Sequence, residues 1–394
     1  MFFSKTNTIK PVFNTNVIPN LQEISKLSFP KIDDPNSSKK VTSHWISSYI
    51  KLRKTCNIPK TLELYLKSQN AEYGALVSRF RGTLLGLATG DALGTTYEFS
   101  EKGSYVASEN IVGGGPFNLE PGEWTDDTSM MYCLAFSLIN KNGFDPKNQM
   151  DLYLSWRENG TFSSNGYCFD IGNTISQALT DFSISGNPYS GKTGPEYAKN
   201  GSLMRLAPIP LFYYHDFDQA IYYAGESSKT THGATACIDS CRFYTGLMLG
   251  ALKGLSKDII LNENFEPFVG CWKKYPLCEE VKVVQQGSYK NKSYHEVFAD
   301  GTAVNTMEAA LWAFYNSSNF KDGAMLAVNL GDDADTVAAI YGMLAGAFYG
   351  EQNIPINWLS QLSFYHAFFI KADEMHNLYT KNSATCMQKN CVIT

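Results

Sequence analysis

The chain has 394 residues, 44% hydrophobic and 18% charged, a composition with ample material for a globular core. Its formal net charge is −5, from 33 basic and 38 acidic residues; the basic residues are scattered, which excludes the strong positive field of a nucleic-acid or anionic-membrane binder. No apolar run reaches the ~18 residues of a membrane-spanning helix, and nine cysteines without a C-x-x-C pair or a secretory signal read as reduced thiols of an intracellular, cytoplasmic protein.

Residues 1–40 are rich in Asn, Ser, Thr, Lys and Pro and read as a flexible N-terminal arm. Residues 41–75 place Trp45, Ile46, Tyr49, Ile50, Leu62, Leu64 and Leu66 around Pro59, which predicts two short helices. Together, residues 1–75 form an extension available to a partner. Residues 76–380 read as one all-α unit and residues 381–394 as a tail. The first long helix, Ala75 to Ala92, carries Gly82, Gly86, Gly90 and Gly94 on one stripe. Each interior glycine costs about 1 kcal/mol relative to Ala, so the stripe predicts close approach of another helix or a ligand. Asp91 lies beside the stripe, where it either fixes the glycine helix or takes part in chemistry.

Gly113-Gly114-Gly115-Pro116 is a loop without the Lys-Ser/Thr of a phosphate cradle. Further helices are predicted at Ser129–Ile139, Thr174–Phe182, Ala234–Leu252, Val304–Tyr315 and Trp358–Leu378. A small-residue helix bearing Gly342, Gly346 and Gly350 follows Leu330-Gly331-Asp332-Asp333-Ala334-Asp335-Thr336. Its glycines suit close helix contact in a water-soluble core. Residues 256–300 carry little pattern. Arg205 reads as the anchor of a carboxylate inside the fold, with phosphate contact as the alternative, since a buried arginine needs a paired partner.

Two helices begin alike, at Thr125-Asp126-Asp127 and at Asp333-Ala334-Asp335-Thr336. Each could be only a helix cap. If the two starts converge, at least four carboxylates meet, and such crowding is relieved by raised pKa values or bound divalent cations. An all-oxygen donor set suits Mg²⁺, Mn²⁺ or Ca²⁺ rather than Zn²⁺. If cations are held there, capping and metal binding need not compete: Asp332 can cap the second helix while Asp333, Asp335 and Thr336 face the ions.

Thr89-Gly90-Asp91-Ala92-Leu93-Gly94-Thr95-Thr96-Tyr97-Glu98-Phe99, Gly122-Glu123-Trp124-Thr125-Asp126-Asp127-Thr128 and Gly331-Asp332-Asp333-Ala334-Asp335-Thr336 resemble the ADP-ribosylglycohydrolase family. Within it the chain is most similar to the dinitrogenase reductase-activating glycohydrolase branch. Phe169-Asp170-Ile171-Gly172-Asn173, Gly201-Ser202-Leu203-Met204-Arg205-Leu206-Ala207-Pro208 and Thr231-His232-Gly233-Ala234 carry that likeness. The resemblance, over residues 76–352, implies a multi-helix all-α fold with a central cleft and two Mg²⁺ or Mn²⁺ ions. Their ligands would be Thr125, Asp126, Asp127, Asp333, Asp335 and Thr336. Glu98 and Asp170 are the implied catalytic carboxylates, and Asn173, Gly201, Ser202 and His232 the implied contacts to ADP-ribose. Asp300-Gly301-Thr302 departs from the pattern, since family members often carry an aromatic after this glycine.

The implied activity is hydrolysis of the bond between ADP-ribose and an arginine side chain of a modified protein. The alternatives are a catalytically silent ADP-ribose-binding or transferase-blocking protein, and a two-metal pyrophosphohydrolase that would release AMP. The last four residues, Cys391-Val392-Ile393-Thr394, match a C-a-a-X pattern, which a eukaryotic host cytosol would read as a prenylation site at Cys391.

Overall fold

The protein is described by a computed structural model over residues 74–390. The arm, both short helices and Cys391 lie outside the described residues. In chain order the helices are α1 (Ala75–Gly94), α2 (Asp126–Lys141), α3 (Pro146–Asn159), α4 (Asn173–Ser185), α5 (Pro208–Phe212), α6 (Phe217–Lys229) and α7 (Thr235–Leu252). Next come α8 (Lys257–Ile260), α9 (Cys271–Lys274), α10 (Glu279–Gln285), α11 (Ala303–Tyr315), α12 (Phe320–Val328), α13 (Ala334–Tyr349), α14 (Ile356–Gln361) and α15 (Tyr365–Asn390). Among the described residues β pairing is confined to three isolated bridges, so the fold is all-α. No described helix is long and apolar enough to cross a membrane.

The glycine stripe of α1 meets α13, which runs antiparallel to it. A Cβ on Gly82 would strike the Gly346 carbonyl, one on Gly86 the Gly342 carbonyl, and one on Gly90 the Ala338 carbonyl. At the far end, a Cβ on Gly94 would strike the backbone of Asp335. The two buried helices therefore touch backbone to backbone, and the pair forms the axis of the core. Arg81 closes its outer end, donating to both Asp373 oxygens at 2.6 and 2.7 Å and to Glu351 at 3.3 Å. The inner end leads into the two Asp-rich helix starts.

Three features differ from the sequence expectations. Helices α3 and α6 were not predicted, although both open on aspartate N-caps: Asp145 accepts from the Asn148 N–H and Asp216 from the Gln219 N–H. The predicted helix over Trp358–Leu378 is two helices, broken where Phe364 takes a left-handed φ of 56°. Helix α2 begins at Asp126, three residues ahead of the expectation. Its first turn thus contains both aspartates of the motif.

Candidate metal centre and active-site cleft

The inner end of α1 organises the site through Asp91. Thr125, the N-cap of α2, makes no capping bond with its own side chain. Instead Asp91 accepts from the Thr125 N–H at 2.9 Å and the Thr128 N–H at 3.1 Å. It also accepts from both hydroxyls, at 3.0 Å from Thr125 and 2.6 Å from Thr128. A residue of one helix therefore caps another, and the carboxylate is saturated by donors. These bonds give Asp91 a structural part, beside its place among the buried carboxylates that could hold a metal ion.

Around it the carboxylates converge. One oxygen each of Asp91, Asp127 and Asp335 lie within 4.8 Å of one another, and so do oxygens of Glu98, Asp170 and Asp335. Thr125 Oγ1 lies 3.2 Å from Asp127 and 3.4 Å from Asp335. Asp127 Oδ1 and Glu98 Oε2 are buried without a hydrogen-bond partner, although buried carboxylate oxygens normally have one. Burial first, and neighbouring carboxylates second, push Asp126, Asp127 and Asp335 well above the ordinary carboxylate range. The same causes lift Glu98 to about 10 and Asp170 to about 8. Orphaned hard oxygens in a like-charged buried cluster fit divalent cations of the Mg²⁺ or Mn²⁺ type.

The loop carrying Glu98 is fastened to the second Asp-rich motif by backbone alone. Phe99 N–H donates to Asp332 O at 2.7 Å and Asp332 N–H to Ser100 O at 2.8 Å. Phe99, Asp170 and Asp332 have φ of 61°, 56° and 51°, left-handed values that non-glycine residues adopt rarely and often near functional sites. Asp332 does not cap α13, whose N-cap Asp333 also makes no side-chain capping bond. The expected division of labour is corrected here: Asp332 acts through its backbone, because its left-handed conformation turns its N–H and C=O towards residues 99–100.

A cavity of about 390 Å³ opens beside the cluster, within the range of small-molecule sites. Glu98, Asp126, Asp170, Asn173, Gly201, His232, Asp333 and Thr336 line it. Thr125, Asp127 and Asp335 are buried in the cluster rather than in the lining. Ser202 also lies outside the lining, and its hydroxyl accepts from Ser228 at 2.8 Å. Gly201 is wedged where a Cβ would come within 2.8 Å of His232 Cε1 and 2.9 Å of Ile175 Cδ1. His232 pairs its Nδ1 with Thr231 Oγ1 at 2.8 Å. Burial, with the nearby Arg205 charge, lowers its pKa to about 3, so the ring is neutral near pH 7. Arg205 is buried, but its partners are hydroxyls, a backbone carbonyl and an aromatic ring in place of the carboxylate expected. It donates to Thr231 Oγ1 at 2.7 Å and lies 4.6 Å from the Tyr153 ring centroid.

Several lining residues, among them Asn200, Lys199, Phe99 and Gly301, were not among the site residues expected from the sequence. Asn200 donates to Asp333 Oδ2 at 2.6 Å and to Thr306 Oγ1 at 3.1 Å; its place just before Gly201 in the motif was the available signal. Among the described residues Lys199 is the single lysine or arginine in the lining, which also includes Phe99. Gly301, at the departing Asp300-Gly301-Thr302 segment, lines the cavity with a φ of 73°.

This arrangement has counterparts among known proteins. The family model described as ADP-ribosylglycohydrolase matches residues 73–385. An ADP-ribosylarginine hydrolase Tri1 of Serratia proteamaculans is 41% identical over 286 residues, covering 73% of this chain and 75% of that protein. The ADP-ribosyl-[dinitrogen reductase] glycohydrolase of Rhodospirillum rubrum is 31% identical, covering 72% and 90%. Likeness is thus stronger to the former than to the branch expected from the motifs. A solved structure titled ADP-ribosylglycohydrolase-related protein complex aligns with a TM-score of 0.67 and 37% identity, covering 77% of this chain and 99% of its own. With its family model, its helical fold and its buried carboxylate cluster in agreement, the chain belongs to the ADP-ribosylglycohydrolase family.

Proposed function

We propose that the protein is a divalent-metal-dependent hydrolase that releases ADP-ribose from arginine side chains of a modified protein, reversing mono-ADP-ribosylation. The observation that carries this reading is the convergence of two Asp-rich helix starts and Glu98 at one cavity. Arginine is favoured as the acceptor because a relative named for that activity is 41% identical over 73% of this chain.

Thr125, Asp126, Asp127, Asp333, Asp335 and Thr336 would hold the two cations, Mg²⁺ or Mn²⁺. Asp91 is left out of that set because its acceptor positions are filled by Thr125 and Thr128. When bound, the ions supply charge neutralisation and orientation for ribose hydroxyls and water. Glu98 and Asp170 have oxygens within 4.8 Å of each other, close enough that the first ionised carboxylate opposes ionisation of the second. The pair therefore suits proton transfer in both directions. With the cluster's charge offset by the cations, one member would be ionised and would take a proton from the attacking water as the C–N bond breaks, while the other, still protonated, would supply one to the departing guanidine nitrogen. Neutral His232, Asn173 and the backbone at Gly201 would contact ADP-ribose from the same lining.

The test is turnover of arginine-, serine- and glutamate-linked ADP-ribose with Mg²⁺, with Mn²⁺ and with EDTA, products identified by mass. Release of ADP-ribose from the arginine linkage, lost with EDTA or Asp333→Ala, is expected. AMP as product would point to pyrophosphate cleavage, and full turnover in EDTA would overturn the metal assignment.

A further inference from the structure

Beside the two proposed catalytic carboxylates stands a set of aromatic rings that the core does not use. Phe99 follows Glu98 and Phe169 precedes Asp170 in the chain. Their rings are joined through Phe117, with centroids 6.5 Å from Phe99 to Phe117 and 5.4 Å from Phe117 to Phe169. Phe99 is 69% exposed, lines the cavity and sits at a left-handed φ of 61°. Its backbone is tied to Asp332. A phenylalanine held in a disfavoured conformation with its ring in solvent contributes little to folding by burial. Glu98 and Asp170 share the lining with the ring, so carboxyl oxygens able to accept from guanidinium N–H groups stand beside it.

We infer that Phe99, backed by Phe117 and Phe169, is a specificity-determining binding residue that receives the arginine guanidinium of the substrate by cation–π contact. The inference rests on the arginine hydrolase reading and adds where the acceptor side chain docks. A planar guanidinium stacks on an aromatic face, and the rings border the carboxylates that would serve the leaving group. Adenine, which also stacks on aromatic rings, is the competing occupant.

The experiment compares wild type with Phe99→Asn and Phe99→Tyr, using ADP-ribosylarginine as substrate and free ADP-ribose as a ligand lacking guanidine. Asn tolerates the left-handed backbone, so Phe99→Asn is expected to keep the wild-type melting temperature. Its KM for ADP-ribosylarginine should rise about 2- to 30-fold, the span of exposed to desolvated cation–π contacts, with Phe99→Tyr restoring it. Its calorimetric Kd for ADP-ribose in Mg²⁺ should stay at the wild-type value. A parallel rise in the ADP-ribose Kd would place the adenine or ribose on the ring and overturn the inference, and so would an unchanged KM. A wild type that releases no ADP-ribose from ADP-ribosylarginine would instead overturn the hydrolase reading on which the inference rests.

Discussion

Substituting Gly94 by Ala would place a Cβ 2.4 Å from Asp335 Cα and 2.7 Å from both Ala334 O and Asp335 N. A comfortable carbon–carbon contact is about 3.5–4.0 Å, so α1 and α13 must part by roughly 1.1–1.6 Å at the level of the carboxylate cluster. Gly82→Ala creates similar crowding at the other end of the pair, with Glu351 N at 2.8 Å and the Gly350 carbonyl carbon at 2.9 Å. From residue 82 to residue 94, at 1.5 Å per residue, is about 18 Å. Overpacking costs about 1–3 kcal/mol, offset for an interior helical position by up to about 1 kcal/mol of propensity. Both variants should therefore melt a few degrees below wild type. Their activities should diverge, because misplacing a reacting group by about 1 Å can cost on the order of 100-fold in rate. Gly94→Ala is expected to lose about that factor in metal-dependent ADP-ribose release, and Gly82→Ala less than about threefold. Melting curves and turnover at saturating Mg²⁺ measure both. Equal activity losses in the two variants, or a fully active Gly94→Ala, would refute the view that this contact sets the site geometry.

Asp91→Asn turns an amide NH₂ towards donors that now share a carboxylate, and should destabilise the fold by about 3 kcal/mol; a denaturation midpoint within error of wild type would contradict its capping role. In EDTA, Asp126, Asp127 and Asp335 hold protons in the fold that the unfolded chain releases. Their contribution to stability is thus full below about pH 4 and lost as pH rises through their raised folded-state values. The melting temperature gained on adding Mg²⁺ or Mn²⁺ should accordingly grow between about pH 5.5 and pH 8, and a pH-independent gain would count against these carboxylates as ligands. His232 titrates oppositely. Its neutral form stabilises the fold above its ordinary pKa of 6.5, and that contribution is lost as pH falls towards about 3. His232→Gln should flatten acid denaturation by up to about 1.4 kcal/mol per pH unit in this window. Identical acid midpoints for wild type and variant would speak against a buried neutral imidazole.

Much of the architecture was legible because helix contacts leave periodic traces. Four glycines at four-residue spacing could only be tolerated where another backbone approached, and α13 supplied that backbone with glycines of its own. Helices α3 and α6 were harder to read. Polar residues interrupt their apolar pattern, although Asp145-Pro146 and Asp216 carried a local start signal. The break at Phe364 depends on a left-handed backbone conformation that no side-chain periodicity announces.

By itself the sequence determined that two Asp-rich helix starts exist and that a small-residue helix pair is present. Oxygen donors at those starts also fixed the class of cation they suit. Tertiary structure alone decided the division of labour among the acids. Asp91 lies in the last turn of α1 and Asp332 just ahead of α13, yet Asp91 caps a different helix while Asp332 fastens the Glu98 loop through its backbone. The physical reason is that a carboxylate's role follows from which donors surround it. Donors from residues 34 or more positions away in the chain become neighbours only when α1, α2 and α13 meet. The same meeting leaves Asp127 Oδ1 and Glu98 Oε2 without donors, which turns a pair of unremarkable helix starts into a candidate metal centre.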